Sequence, residues 1–461
     1  MVEKTNLQQL RDSLSIKADK VGLKHTINRK SVFFPFTTRG TERAKFRNGF
    51  GGVLGEFTRQ LCTNRLTKEL SIEEIIKEAA NLIEVSSEDK PYFEQILRMF
   101  LQDKNESIKV FHPHVFQYLP FCSGAEMKGE QEIGKFLAEV LIKDSTHLKS
   151  IFEKHISKDL VAKLILNQLN GLERIEGKQK YISKLPYITE LFQEDFLFLV
   201  QYEDYFKNHY EMFVSYYYFL YITQLTLKLS QKGKAQFNHN NEVFFTLDWE
   251  ATSKSRKSYN YGYHMIKESS RNLLIDINCL EHLNFLMGTD NSQTYSELKE
   301  TFENLANDEQ TMFLEMVRDW IIEYRVHQVL SELEGNLELD YDSLVGNLFL
   351  SIEEAYEKPS MQGPQNRYPL SIEEIGKRYF LKTRGSLGYM LNVSQDLLLL
   401  LTALSLKNER KSLKQVFVEL ELRGLSFDRY SREEIVKLYD KLNLLDKKSD
   451  SGDAQYVKPI L

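Results

Sequence analysis

Residues 394–461 read SQDLLLLLTALSLKNERKSLKQVFVELELRGLSFDRYSREEIVKLYDKLNLLDKKSDSGDAQYVKPIL. The end of this stretch raises a question. A Leu-rich helical run gives way to a polar centre, Asp-Ser-Gly-Asp, and then to a tail holding Tyr456, Val457, Ile460 and Leu461. That tail is too apolar to be read as disordered by default. The residues before it supply the context. From Ser394 the chain is apolar nearly all round, which predicts a buried helix. SLKQVFVELELRG follows, with Leu413, Val416, Phe417 and Leu420 on one stripe and Gly424 placed as the stop. SREEIVKLYDKLNLL predicts a third helix, capped by Ser431 and Glu434, with Ile435, Leu438, Leu442 and Leu445 on one face. DKKSDSGDAQYVKPIL then gives two short extended runs around a turn at Gly452, a residue free to take positive φ. Helix, helix, helix, hairpin is the order of a winged helix-turn-helix domain. The tail is expected to be its wing.

A wing does not establish DNA binding. From Lys411 to the end there are ten basic and nine acidic residues, and the third helix sets Glu433, Glu434 and Asp440 beside Arg432, Lys437 and Lys441. Phosphates dominate affinity for DNA, so a helix in the major groove usually presents a more basic face. Protein contact or packing is therefore the favoured use of the unit. Lys447 and Lys448 at the base of the wing are the residues placed to meet a phosphate.

Upstream the organisation is mainly helical. SIEEIIKEAANLI opens on Ser71 with Glu74 three residues later, the reciprocal capping signature. The same S-x-E-E start recurs at Ser351, Ser371 and Ser431 at irregular intervals, which excludes a solenoid repeat. Further helices are expected over EIGKFLAEVLIKD, KDLVAKLILNQL, the aromatic run Phe196–Leu229 and DEQTMFLEMVRDWIIEYRVHQVLSEL. Strand signal is scarce; NEVFFTLDWE is the clearest, with Val243, Phe245, Leu247 and Trp249 alternating. EKPSMQGPQNRYPL reads as a linker. The division expected is a basic, helical N-terminal region (1–125), a helical body with a short strand element (126–356), a linker (357–369) and the winged helix-turn-helix unit (370–461). The fold class is mainly α.

The chain has 461 residues, 42% hydrophobic and 27% charged, long enough for two or three domains of a soluble protein. Its longest apolar candidate, VSYYYFLYITQLTL from Val214, is too short to span a bilayer, and no membrane partner is expected. The N-terminus shows no apolar signal region. Cys62, Cys122 and Cys279 are scattered and odd in number, which argues for a reducing cytoplasm and against a disulfide framework or thiolate metal site. The net charge of −6 hides an asymmetry. Lys17 to Arg65 holds eleven Lys or Arg against Asp19, Glu42 and Glu56, a local +8 that leaves −14 elsewhere. A basic segment on an acidic body suits an anionic partner, or equally a surface whose charges pair within the fold.

Two further stretches could meet nucleic acid. FPFTTRGTERAKFRNGFGGVLGEFTRQL carries Arg39, Arg43, Lys45 and Arg47 among glycines, without the Gly-Lys-Ser/Thr of a phosphate loop. ATSKSRKSYNYGYHMIKESSR interleaves Lys254, Arg256 and Lys257 with Tyr259, Tyr261 and Tyr263, cations for phosphates with aromatic platforms between them. An amphipathic helix with inward tyrosines has the same pattern. Catalytic signals are weak. Asp248 and Glu250 would share a face on a strand and could hold Mg²⁺, but Lys254 lies too far along for the nuclease D…(D/E)-x-K pattern. His112 and His114 sit two apart with no third ligand nearby. No nucleophile elbow, H-E-x-x-H or Walker sequence appears. No enzyme and no cofactor is expected.

FPFTTRG with GGVLGEF, FFTLDWEATSKSR, and FLKTRGSLGYMLNVSQDLLLLLTAL with LYDKLNLLDKKSDSGDAQYVKPIL together resemble the DNA phosphorothioation-dependent restriction protein DptG (DndG) family across nearly the whole chain. The resemblance implies a subunit of a bacterial anti-phage defence complex acting with two partner proteins, one a helicase-like ATPase. Such a complex damages DNA lacking a sulfur-for-oxygen backbone modification. No catalytic residues are implied. The expected function is thus a non-catalytic DNA-binding or scaffolding subunit, with a cryptic metal-dependent nuclease and a winged-helix transcription regulator as alternatives.

Overall fold

The aromatic run organises the molecule. In the computed structural model it forms two helices, Pro186–Leu199 and Glu203–Ser230, where one was expected. The second is buried on every side from Phe213 to Leu229, which is why its sequence shows no polar face. Most of its polar side chains find partners; among the described residues Tyr218 Oη is buried without one. Thr223 and Thr226 donate to the carbonyls of Phe219 and Ile222 at 2.7 Å, and Tyr217 donates to Asp195 at 2.6 Å. Helices Gly51–Leu61 and Met127–Leu141 pack beside it and against each other. Gly134 permits that approach, since a Cβ there would lie 2.5 Å from the Cβ of Glu56. One hydrophobic core runs from Val2 to Val457. A satellite core lies under Ile72–Asn81, Lys90–Leu101 and Leu160–Leu166. The described residues are 2–16, 22–23, 32–68, 70–102, 108–153, 157–333, 337–447 and 455–461. Among them the architecture is mainly α, and no helix is long and apolar enough to cross a membrane.

The strands are short. β1 (Asn64–Leu66) pairs antiparallel with β2 (Leu172–Arg174). β3 (Thr246–Leu247), β4 (Leu381–Thr383) and β5 (Tyr389–Val393) form a sheet of order β3-β5-β4, in which β3 runs parallel to β5. NEVFFTLDWE therefore contributes two ladder residues and one bridge, Phe244 to Ser426. Its alternation misleads because Phe244 and Thr246 are as buried as Val243, Phe245 and Leu247. The chain turns after Leu247 and leaves Trp249 exposed.

At the C-terminus, helix Gln395–Leu406 is followed by β6 (Lys411–Ser412), helix Leu413–Leu422, helix Arg429–Lys441, β7 (Leu445–Lys447) and β8 (Gln455–Val457). The sheet order is β6-β8-β7, all antiparallel. Ser394 caps the first helix through the Leu397 N–H, and Ser412 with Gln415 makes a capping box on the second. Gly424 ends the second helix at φ +82°, where a Cβ would lie 2.3 Å from Leu220 Cδ1. The turn expected at Gly452 lies outside the described residues. Leu442 is exposed and Leu445 belongs to β7, so neither extends the buried face of the third helix.

Three expected helix starts are corrected. Ser71 does cap its helix, through the Glu74 N–H. Ser351, Ser371 and Ser431 lie inside helices that begin earlier, two of them capped by Asp340 and Asp428. Ser351 and Ser431 are buried and accept from Arg325 and Arg256 instead. Most of the stretch read as a linker is helical. Pro359–Arg367 is a helix, with Pro359 in its first turn, and Tyr368 is buried. The Arg367 carbonyl accepts from Arg43 at 2.9 Å, which holds this segment against the N-terminal region.

Candidate nucleic-acid interface

The turn after β3 determines what its acidic residues can do. The Glu250 N–H donates to the Leu247 carbonyl at 3.3 Å, and Glu250 Oε1 accepts from the Leu247 N–H at 3.1 Å. The side chain is thereby folded back into the protein, where burial pushes its carboxyl above the ordinary glutamate value. Asp248 goes elsewhere. It is half-exposed and accepts from Lys382 Nζ at 3.0 Å and Asn392 Nδ2 at 2.7 Å. The two carboxylates expected on one strand face therefore have separate partners, because the strand ends at Leu247. Among the described residues no group of three or more His, Cys, Asp or Glu is arranged to hold a metal. His112 caps a short helical turn through the His114 N–H, and His114 Nδ1 lies 2.6 Å from the Phe152 carbonyl, so both are built into the core.

Arg256 is the hub. Its guanidinium donates to Asp428 (Nη2 to Oδ1, 2.7 Å), Glu250 (3.2 Å), Ser431 Oγ (2.9 Å) and the Ala251 carbonyl (2.9 Å). Burial alone would lower its pKa; the hydrogen bonds and charges of Asp428 and Glu250 raise it instead. Burial likewise pushes the Asp428 carboxyl up, but Arg256 and the Ser431 N–H outweigh it and hold it below the usual aspartate range. Asp428 is also the N-cap of Arg429–Lys441. One ion pair thus fixes the segment after β3 to the start of the last helix.

Between them lies a groove of about 970 Å³. Its walls are Glu242, Phe244, Ser255, Arg256 and Lys257 on one side. On the other are Leu413 and Phe417 with Phe427, Asp428, Arg429, Tyr430, Arg432, Glu433, Val436 and Lys437. Cations lie over rings along it: Lys257 over Phe244 at 5.0 Å, Arg256 over Tyr430 at 4.9 Å, and Arg432 over Phe417 at 5.0 Å. Tyr430 is 62% exposed. Arg429 pairs with Glu433 at 2.9 Å, and Lys437 with Glu434 at 2.7 Å, both at exposed sites where such pairs exchange readily with other anions.

The residues expected to touch DNA divide accordingly. Lys254 and Lys257 are exposed, Lys257 lining the groove, while Arg256 is a buried part of its wall. Arg39 and Arg47 are exposed, Arg39 pairing with Glu42 at 3.2 Å. Arg43 is buried against Glu374 at 3.6 Å, and Lys45 pairs with Glu126 at 2.7 Å. Lys447 lies in β7, and Lys448 falls outside the described residues. Arg429 and Tyr430 were missed because the helix was started at Ser431. The signal was Asp428, an equally good N-cap three residues earlier. No family model matches the chain, and no curated protein matches it significantly.

Proposed function

We propose that the last three helices and strands β6, β7 and β8 form the winged helix-turn-helix unit expected within 370–461, and that the chain is a non-catalytic DNA-binding and scaffolding subunit of a phosphorothioation-dependent restriction complex, as its resemblance to the DptG family implies. The unit is supported by its element order and by the β6-β8-β7 arrangement, with β8 central. The observation that carries the binding role is convergence. Two stretches far apart in sequence, Ser255–Lys257 and Arg429–Lys437, meet on one groove that offers several cations beside one exposed ring, Tyr430. In this reading Lys257, Arg429, Arg432 and Lys437 take backbone phosphates, Tyr430 supplies a stacking surface, and Arg256 positions both walls without touching the ligand. Partner proteins, one a helicase-like ATPase, supply nucleotide hydrolysis. The separate engagement of Asp248 and Glu250 disfavours the nuclease alternative.

Binding of a labelled duplex measured at several salt concentrations tests this. The variant Lys257→Gln, Arg429→Gln, Lys437→Gln should bind unrelated sequences more weakly, with a log–log salt slope shallower by about 2.7, at about 0.9 for each phosphate no longer neutralised. An unchanged slope with retained association to the partner subunits would leave the scaffold role alone.

A further inference from the structure

Helix Lys90–Leu101 turns Leu97 and Leu101 into the satellite core, beside Ile75, Ile76 and Ile165. Its other face carries Pro91, Tyr92, Gln95, Ile96 and Met99, all exposed and none charged. Tyr92 is 70% exposed, Ile96 55% and Met99 71%. Their spacing, four and then three residues, puts them on a single stripe. Leu82 and Ile83, in the connection from the preceding helix, are exposed as well. This differs from a solvated surface. The facing helix Ile72–Asn81 exposes Glu73, Glu74, Lys77 and Glu78, as an ordinary outer face does. Single exposed apolar residues need no explanation, but a contiguous uncharged stripe marks a contact.

The surroundings say what would cover it. Ser71 to Gln102 contains seven acids against three bases. Two of those bases are engaged, Lys90 with Asn81 and Arg98 with Glu73. Glu84, Glu88 and Asp89 are exposed at the end of the stripe, and among the described residues no cation pairs with them. A second copy of the chain would set one acidic rim against another, and an anionic lipid surface would meet the same repulsion. We propose that this helical hairpin docks an amphipathic helix of a partner protein whose apolar stripe is bordered by Lys and Arg. Tyr92, Ile96 and Met99 receive the stripe, with Met99 able to adapt to its shape. Glu84, Glu88 and Asp89 set the orientation.

The test uses the full chain and three synthetic peptides of about 18 residues, roughly five helical turns. One carries a Leu stripe bordered by Lys, one the same stripe bordered by Glu, and one is a scramble of the first. Fluorescence anisotropy should show the Lys-bordered peptide binding at least about tenfold more tightly than either other, a gap of about 1.4 kcal/mol. Ile96→Glu with Met99→Glu should abolish that binding. Glu84→Gln, Glu88→Gln, Asp89→Asn should weaken it and flatten its salt dependence. Every substitution is at an exposed position, and circular dichroism checks the fold. Equal affinity for the Lys and Glu peptides, equal affinity for the scramble, or no binding at all overturns the proposal. So does self-association, or binding to phosphatidylglycerol vesicles, that disappears in the Ile96→Glu, Met99→Glu variant.

Discussion

Arg256 shows how position changes the meaning of a residue. In sequence it stands between Lys254 and Lys257 and reads as one of three phosphate contacts. In the fold it is buried and compensates Asp428 and Glu250. Arg256→Ala would leave two acids without their cation, and removing one partner of a buried pair costs about 3–5 kcal/mol. Lys257→Ala, next along the chain, should stay within about 0.5 kcal/mol of the parent. Urea denaturation of the two variants reads that contrast directly, and equal effects would put Arg256 on the surface after all. Asp276 offers a second test at this scale. Burial pushes its carboxyl from 3.8 up to about 7, against the opposing pull of Lys232 and a hydrogen bond from the Tyr295 hydroxyl at 3.1 Å; Glu353 adds to the rise. Below 3.8 the folded and unfolded chains both hold the proton, and above about 7 neither does. Between those values only the folded chain holds it, so stability falls as pH rises, by up to about 1.4 kcal/mol per unit. Asp276→Asn keeps an acceptor for Tyr295 and has nothing to ionise. Its melting temperature should exceed the parent's by more at pH 8 than at pH 5.

At the scale of elements, the C-terminal region is bound to the body by interactions that no local pattern reveals. Arg423 closes the second of its helices and pairs with Asp195 at 2.7 Å, inside the core beside Tyr217. β8 lies between β6 and β7 and buries Val457 completely. Deleting Ser449–Leu461 removes the strand that pairs with both, so the sheet cannot survive as β6 and β7 alone. The truncated chain should melt earlier and less cooperatively, and it should lose association with partner subunits. Normal assembly with DNA binding alone abolished would make the hairpin a nucleic-acid element. Gly424→Ala probes the junction more gently. The left-handed backbone costs about 1–2 kcal/mol for a residue with a Cβ, and Leu220 must move as well. The helices and this glycine stop were legible because local rules and the fold agree there: Ser394 caps, Ser412 caps, and Gly424 terminates. Ser431 was not legible, because Asp428 three residues earlier caps equally well and the buried Arg256 takes the serine hydroxyl. NEVFFTLDWE was misread for a related reason. Alternation reports a strand with one wet face, and here both faces are covered, one neighbour being β5 from nearly 150 positions further on. The groove was half legible: its cations could be counted, but their convergence depends on an ion pair spanning 172 positions.

For the whole molecule, the question is which of its cations remain free to meet an anionic partner. The excess of +8 between Lys17 and Arg65 made the N-terminal region a candidate surface for an anionic partner. Part of that excess is internal: Arg43 faces Glu374, Lys45 faces Glu126, and Arg59 is buried against Glu56. A cation held against its partner inside the fold cannot neutralise a phosphate and so releases no counterion from DNA, and its removal acts on folding first. Of Arg39, Arg43, Lys45 and Arg47, the first and last are exposed. Replacing those two with Gln should reduce the salt slope of DNA binding by at most about 1.8, at about 0.9 per phosphate. The groove variant at Lys257, Arg429 and Lys437 should reduce it by about 2.7 under the same rule. Arg43→Gln should lower the melting temperature while leaving the slope of the folded protein unchanged, since its partners are Glu374 and the Arg367 carbonyl. Titrations of the three variants against one duplex, each at several salt concentrations, rank the surfaces. A larger drop in slope from Arg39 and Arg47 than from the groove would return the primary DNA contact to the N-terminal region and leave the groove for a protein partner.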